Sequence, residues 1–332
     1  MAGSGQMPRN GFRLEKLLGA MCRGGCACLC VFVCALVTAG GEKDHLLRMP
    51  TGVLLVGYGP TNLTLTTPVN AIHVQPAEAE PSSWDHMILP SLSRDGRMVA
   101  TAHLHGPGRE TIATYSVAER AWKEYASVFR LWSVSLSPDG GTLAFVSAEN
   151  GARPLLNVLE TATGRVRNLL PTPVSEGGVP SWSPDSARIA YQTELPWRDE
   201  LHGKRDYEIR VVDVKTGAVS RVASGQNPSW SPSGEWIAYL DLTGEPGGGT
   251  KCMVTRPDGT GTQTLFAFPR RHAPFFWAPV WSPDSNQLLL NEIADWNGWK
   301  VKIDLLDFQT HLLTSKLHSD GTAVLGWARY TR

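Results

Sequence analysis

Three segments of this chain are versions of one sentence: VPSWSPDSARIAY (179–191), NPSWSPSGEWIAY (227–239) and APVWSPDSNQLLL (278–290). Two further copies, LPSLSRDGRMVATA (89–102) and WSVSLSPDGGTLAFVS (132–147), carry leucine in the tryptophan slot, and the first of them has Arg94 where the others have proline. A last copy, VLGWARY (324–330), has only the opening strand. The equivalent positions Leu92, Leu136, Trp182, Trp230, Trp281 and Trp327 lie 44, 46, 48, 51 and 46 residues apart. A repeat of this length with a drifting period belongs to a propeller or a solenoid, because one such unit cannot bury its apolar face alone and must stack on its neighbours.

Each unit reads as four short strands. An apolar strand ends at the Trp or Leu, and Ser-Pro-Asp-Gly (137–140) or its variants ending in Ser186, Gly234 and Ser285 make a turn. In that turn Pro presets φ and Asp or Ser bonds the local backbone. A second strand alternates with period two, as in Arg188–Tyr191 and Thr142–Val146. A third (Tyr207–Asp213) leads to a Thr-Gly turn (Thr216-Gly217, and Thr163-Gly164 elsewhere), and a polar fourth strand (Ala218–Val222) closes the unit. Four antiparallel strands per unit make a propeller blade, so the fold class is all-β.

Five complete units run from residue 92 to about residue 326, and the sixth contributes only its first strand near Ala323–Tyr330. The segments 52–56, 62–66 and 71–74 read as three strands lacking a first one. One plus three completes a sixth blade and joins the two ends of the repeat region, which removes open sheet edges. Six blades are expected, with seven as the alternative count.

The sentence Pro-x-Trp-Ser-Pro-Asp-Gly/Ser-x-x-Ile-Ala-Tyr followed by Asp-x-x-Thr-Gly, at Pro180–Tyr191 with Asp213–Gly217, Pro228–Tyr239 and Pro279–Leu290, resembles the WD-like repeat of the TolB propeller. The resemblance covers roughly residues 46–332. It implies a periplasmic, non-catalytic propeller that binds partner proteins of the cell envelope. TolB carries an α/β domain ahead of its propeller, whereas here only a few residues are expected between Ala39 and the first strand, a departure that counts against a place in a Tol-Pal system. Similar repeats occur in oligogalacturonide lyases and in the propellers attached to prolyl-oligopeptidase-type hydrolases. The resemblance therefore also admits an acidic-glycan-binding or metal-dependent lyase propeller, and a stand-alone relative of the peptidase propellers.

Five of the six cysteines lie within residues 22–34, and only Cys252 lies beyond them. Residues 26–39 (CACLCVFVCALVTA) are uncharged and apolar, preceded by Arg9, Arg13, Lys16 and Arg23, and they end in Val37-Thr38-Ala39. Basic region, apolar core and small residues are the order of a secretory signal, so residues 1–39 are read as a signal peptide cleaved after Ala39, with Met21 as an alternative start. Fourteen apolar residues span about 21 Å as a helix, short of the roughly 20 residues a bilayer core requires, so a membrane anchor is the lesser alternative and lipidation a further one. The expected location is periplasmic or secreted, with no stable transmembrane segment and a single thiol, Cys252, in the mature chain. The full chain has 31 Lys plus Arg against 31 Asp plus Glu; removal of residues 1–39 leaves 27 against 30. No basic excess of the kind that holds phosphate backbones exists, so nucleic acid is not an expected partner.

The Ser-Pro-Asp and Thr-Gly turns share one face of the disc and are tight. The other face receives the long segments 194–205, 243–251, 294–299, 171–178, 268–277 and 316–321. Binding residues concentrate on loops held by a rigid scaffold, so Trp197, Arg198, His202, Arg205, Arg270, Arg271, His272, Trp296 and Trp299 are the candidate binding residues. Trp182, Trp230, Trp281 and Trp327 recur in register and are read as wedges between blades, and Asp139, Asp185 and Asp284 as turn formers. There is no His-Glu-x-x-His and no Gly-x-Ser-x-Gly, and the glycines of 244–249 are followed by Thr250-Lys251 in the wrong order for a phosphate loop. No catalytic residue, metal ligand or cofactor is assigned. Histidines 103, 105, 202, 272 and 318 are the set a metal-dependent lyase would have to bring together in the channel. A protein or envelope component is the expected partner, with a small molecule or glycan as the alternative.

Overall fold

The computed structural model describes residues 53–58, 62–66, 71–74 and 89–329, apart from 105–108, 150–151, 177, 196–205, 243–248, 269–276, 296–299 and 321–322. Every regular element among these residues is a strand, and the strands form six four-stranded antiparallel sheets. In the third sheet, taken as the pattern, Ser181–Trp182 pairs with Arg188–Glu194, which pairs with Tyr207–Asp213, which pairs with Val219–Ser224. The inner strands of the other complete blades are Ser91–Leu92, Leu131–Leu136, Gln226–Trp230 and Val280–Trp281. The remaining sheet is composite: Ala323–Ala328 is its inner strand, and Val53–Tyr58, Asn62–Thr66 and Ala71–Val74 complete it. Each inner strand touches the inner strand of the next sheet, and Ala323–Ala328 touches both Val280–Trp281 and Ser91–Leu92, so the six strands close a ring. The chain is a β-propeller.

The repeated sentence explains why these residues take these places. Pro90, Pro180, Pro228 and Pro279 stand in or beside inner strands, one edge of which has no strand partner; proline has no N–H to leave unpaired there. The tryptophan that follows turns outward between blades. Trp182 Nε1 donates to the Ser135 carbonyl at 3.1 Å and Trp281 Nε1 to the Ser229 carbonyl at 2.9 Å, in each case on the preceding blade. Trp230 differs: its indole donates to the Gly234 carbonyl of its own turn, at 3.2 Å, and Arg188 of the preceding blade stacks 5.0 Å over its ring. The serine before the slot completes the link: Ser181 Oγ accepts from Trp230 N at 2.8 Å and Ser91 Oγ from Leu136 N at 3.1 Å. Between the blades lie clusters such as Leu240, Cys252, Val254, Trp281, Leu288 and Leu306.

The Ser-Pro-Asp turns are shaped by bonds within themselves. In the second blade Gly140 N donates to Ser137 O at 2.9 Å, Ser137 Oγ to Asp139 Oδ1 at 2.6 Å, Gly141 N to Asp139 Oδ1 at 3.0 Å, and Thr142 N to Ser137 Oγ at 2.9 Å. Ser183 and Asp185 repeat the pattern, as do Ser282 and Asp284. The fourth turn residue is left-handed, which suits Gly140 (φ 72°) but strains Ser186 (φ 60°) and Ser285 (φ 64°). Both serines offset that strain with a bond to the preceding blade: Ser186 Oγ accepts from Asp139 N at 3.1 Å and Ser285 Oγ from Ser233 N at 2.9 Å. Closure relies on a comparable device. The side-chain amide of Asn291, buried in the fifth blade, accepts from Val324 N and donates to Val324 O, both at 2.8 Å, so it receives the last inner strand as a neighbouring strand would.

Three stability outcomes follow from these contacts. Ser186→Ala keeps the left-handed backbone and loses the bond, so it should cost about 1–2 kcal/mol in urea denaturation, whereas Ser186→Gly should cost less. Asn291→Leu leaves two buried backbone groups of Val324 unsatisfied and should cost about 2–5 kcal/mol, well beyond the effect of shortening an ordinary side chain. The hydroxyls of Ser137 and Ser183 hold Asp139 and Asp185 below the usual carboxylate range, and the backbone N–H groups of Thr216 and Thr310 do the same for Asp213 and Asp307. A depressed folded pKa contributes stability that is complete above the unfolded value of about 4 and is lost as pH falls through the folded values. The urea midpoint should therefore hold between pH 5 and 8 with respect to these groups and drop below about pH 4, and a midpoint indifferent to pH 3 would contradict this reading.

Candidate functional site

The inner strands surround a central cavity of about 220 Å³ that receives residues from all six sheets. Its wall is built from the repeated sentence: the prolines, the serines before the slot, and the slot residues Leu92, Leu136, Trp182, Trp230, Trp281 and Trp327. At one end stand the turn prolines Pro138, Pro184 and Pro232; Trp277, which ends an interblade segment, also lines the cavity. Among the described lining residues Arg94 is the only one with an ionisable side chain.

Arg94 occupies the proline slot of its turn, Ser93-Arg94-Asp95-Gly96, and the turn keeps its shape, with Gly96 N donating to Ser93 O at 2.9 Å and Ser93 Oγ to Asp95 Oδ1 at 2.7 Å. Its guanidinium does not rest on its own blade. Arg94 Nη2 donates to the Pro232 carbonyl at 3.0 Å. Pro232 follows the inner strand three places further round the ring, so the side chain spans the mouth of the channel to the opposite blade. The proline-to-arginine departure was visible in the repeat, but its reach across the disc was not, since residues 138 apart in sequence meet only because the ring closes.

The other candidates are distributed differently. Trp197, Arg198, His202, Arg205, Arg270, Arg271, His272, Trp296 and Trp299 all lie outside the described residues. Of the histidines considered for a channel metal, His103 points away from the channel: its Nδ1 lies 2.6 Å from Glu124 Oε1 on the outermost strand of its blade, and its ring meets Trp122 edge-on at 4.7 Å. Cys252 is buried between blades, and burial pushes its thiol up to about 12, which leaves it protonated and unreactive at neutral pH. A second concentration of charge is internal. Lys302 Nζ lies 2.9 Å from Asp304 Oδ2 and 3.4 Å from Glu292 Oε2, with both carboxylates buried within the fifth blade. None of the three lines the channel, so their mutual pairing is structural.

No family model matches the sequence, and no curated protein matches it. Solved structures do match the fold. TolB from Acinetobacter baumannii superposes with a TM-score of 0.61 at 14% identity, over 84% of this chain and 67% of that one. A putative TolB from Agrobacterium tumefaciens gives 0.57 at 16% identity, over 83% and 92%. An oligogalacturonate lyase in complex with manganese gives 0.51 at 15% identity, over 81% and 75%. At such identities the likeness concerns architecture, and what this chain shares with these proteins is a TolB-like β-propeller fold.

Proposed function

We propose that this protein is an exported, non-catalytic propeller that binds a protein or another component of the cell envelope through the face bearing its long loops. The observation that carries this reading is the state of the turn face of the disc. On the turn face the Ser-Pro-Asp and Thr-Gly connections spend their polar groups on themselves: Asp213 Oδ1 alone accepts from Lys215 N, Thr216 N and Thr216 Oγ1 at 2.7–3.0 Å, and Asp307 repeats the arrangement. Aspartates satisfied in this way offer little to a protein partner, which favours the longer connections opposite for recognition of a protein. Export rests on the basic, apolar and small-residue order of residues 9–39. The non-catalytic reading draws on the absence of a hydrolase or metalloprotease motif in the sequence and on the role of His103, which is committed to Glu124 outside the channel.

The test is recovery of partners from envelope extract by the full-length protein expressed with its own amino terminus, compared with Trp296→Ala/Trp299→Ala. Export predicts loss of residues 1–39 on passage out of the cytoplasm, read by mass spectrometry, and the binding face predicts at least a tenfold drop in partner recovery by the double variant. Unchanged recovery would reject that face. Release of unsaturated products from acidic oligosaccharides by the purified protein would replace the non-catalytic reading with the lyase one.

A further inference from the structure

We propose that the central channel is a binding site of its own, independent of the long-loop face, for a ligand that carries a single carboxylate on an apolar stem, with Arg94 as the group that receives the carboxylate. Three observations converge on that chemistry. The first is the wall, in which prolines, aliphatic residues and the edges of the mostly buried slot tryptophans alternate with serines and the unpaired backbone edge of the inner strands: its exposed surface is more apolar than polar, and the hydroxyls of Ser91 and Ser181 already accept from the next blade. Such a wall gives a hydrocarbon or aromatic stem apolar area to cover, with Arg94 as its one charged group.

The second is charge. Arg94 is the one ionisable side chain among the described lining residues, so a cationic ligand would meet no counter-charge inside and an anionic one would meet a permanent guanidinium. One of its five donors is spent on the Pro232 carbonyl, and the remaining donors have no partner among the described residues. The bond to Pro232 holds the guanidinium across the mouth before any ligand arrives, which lowers the ordering cost of binding, and a carboxylate can take two parallel N–H bonds from the same fork. The carboxylates of the surrounding turns, Asp139, Asp185 and Asp284, are drawn back onto their own serines and do not line the cavity; they stand on the turn face, where they oppose a polyanion more than a single charge.

The third is size. About 220 Å³ exceeds the roughly 150 Å³ known to hold a benzene molecule and falls below the roughly 300–1,000 Å³ of drug-sized pockets. The channel therefore accepts a small aromatic or branched aliphatic acid, or the last residue of a peptide with its terminal carboxylate. These two sources present the same chemistry.

The tryptophans in the wall supply the readout, since an occupant would change their fluorescence. The full-length protein is titrated with 3-phenylpropionate and with 3-phenylpropionamide, and in a second arm with N-acetyl-Ala-Phe and its carboxyl-terminal amide. In at least one arm the acid is expected to bind at least tenfold tighter than the amide, and the arm in which it does so identifies the source. Arg94→Pro, which restores the residue that other copies of the repeat have at this position, should abolish the discrimination while leaving the thermal unfolding midpoint near that of the wild type; Arg94→Lys should retain part of it. Equal binding of acid and amide by the wild-type protein, absence of binding in both arms, or full discrimination by Arg94→Pro would each overturn the proposal.

Discussion

The pairing of Ala323–Ala328 with Val53–Tyr58 is the constraint on which the rest of the structure depends. A row of blades that did not return on itself would expose an unpaired inner-strand edge and an unfilled interblade face at each end, and both invite association with other chains. Closure pairs segments about 270 residues apart, and forming so long a loop costs several kcal/mol of chain entropy that local contacts do not return. The last strand is held accordingly from two sides, by the ladder to Val53–Tyr58 and by the Asn291 amide on the backbone of Val324. Once the ring is shut, its inner strands define a channel, and the channel decides which residues can meet across it.

Hydrogen bonds between blades recur with a common logic. Side chains of one blade complete the backbone of its neighbour: the indoles of Trp182 and Trp281, the hydroxyls of Ser91 and Ser181, and the hydroxyls of Ser186 and Ser285 all cross a blade boundary. Hydrophobic clusters would hold adjacent sheets face to face at many angles, since apolar contact is not directional. These bonds are directional, so they fix the angle between successive blades and hence the number that completes a circle.

Polar groups divide into those consumed by this framework and those left over. The turn aspartates are consumed, each tied to its own serine and backbone, and the Glu292, Lys302 and Asp304 group is paired internally. Arg94 is the exception within the channel, because it departs from the repeat and bonds to a carbonyl of the opposite blade rather than to its neighbour. Departures from a repeat carry the information that the repeat itself lacks, since the shared residues are explained by the shared geometry.

The sequence alone determined the unit of this fold: its strand order, its turns and the slot residues were legible because each depends on contacts within about fifty residues. Ser137 to Thr142 shows why, for a six-residue stretch holds both partners of each bond that shapes its turn. The return of the chain was legible too, as three strands wanting a first at one end and one strand wanting three at the other. What only the tertiary structure decided were the contacts made across blades. That Ser186 serves Asp139, that Asn291 receives Val324, and that Arg94 meets Pro232 depends on the angle between blades, which no local pattern encodes. The nine candidate binding residues on the loops follow from loop length and residue type, whereas the channel exists only because six strands from distant parts of the chain are set in a ring.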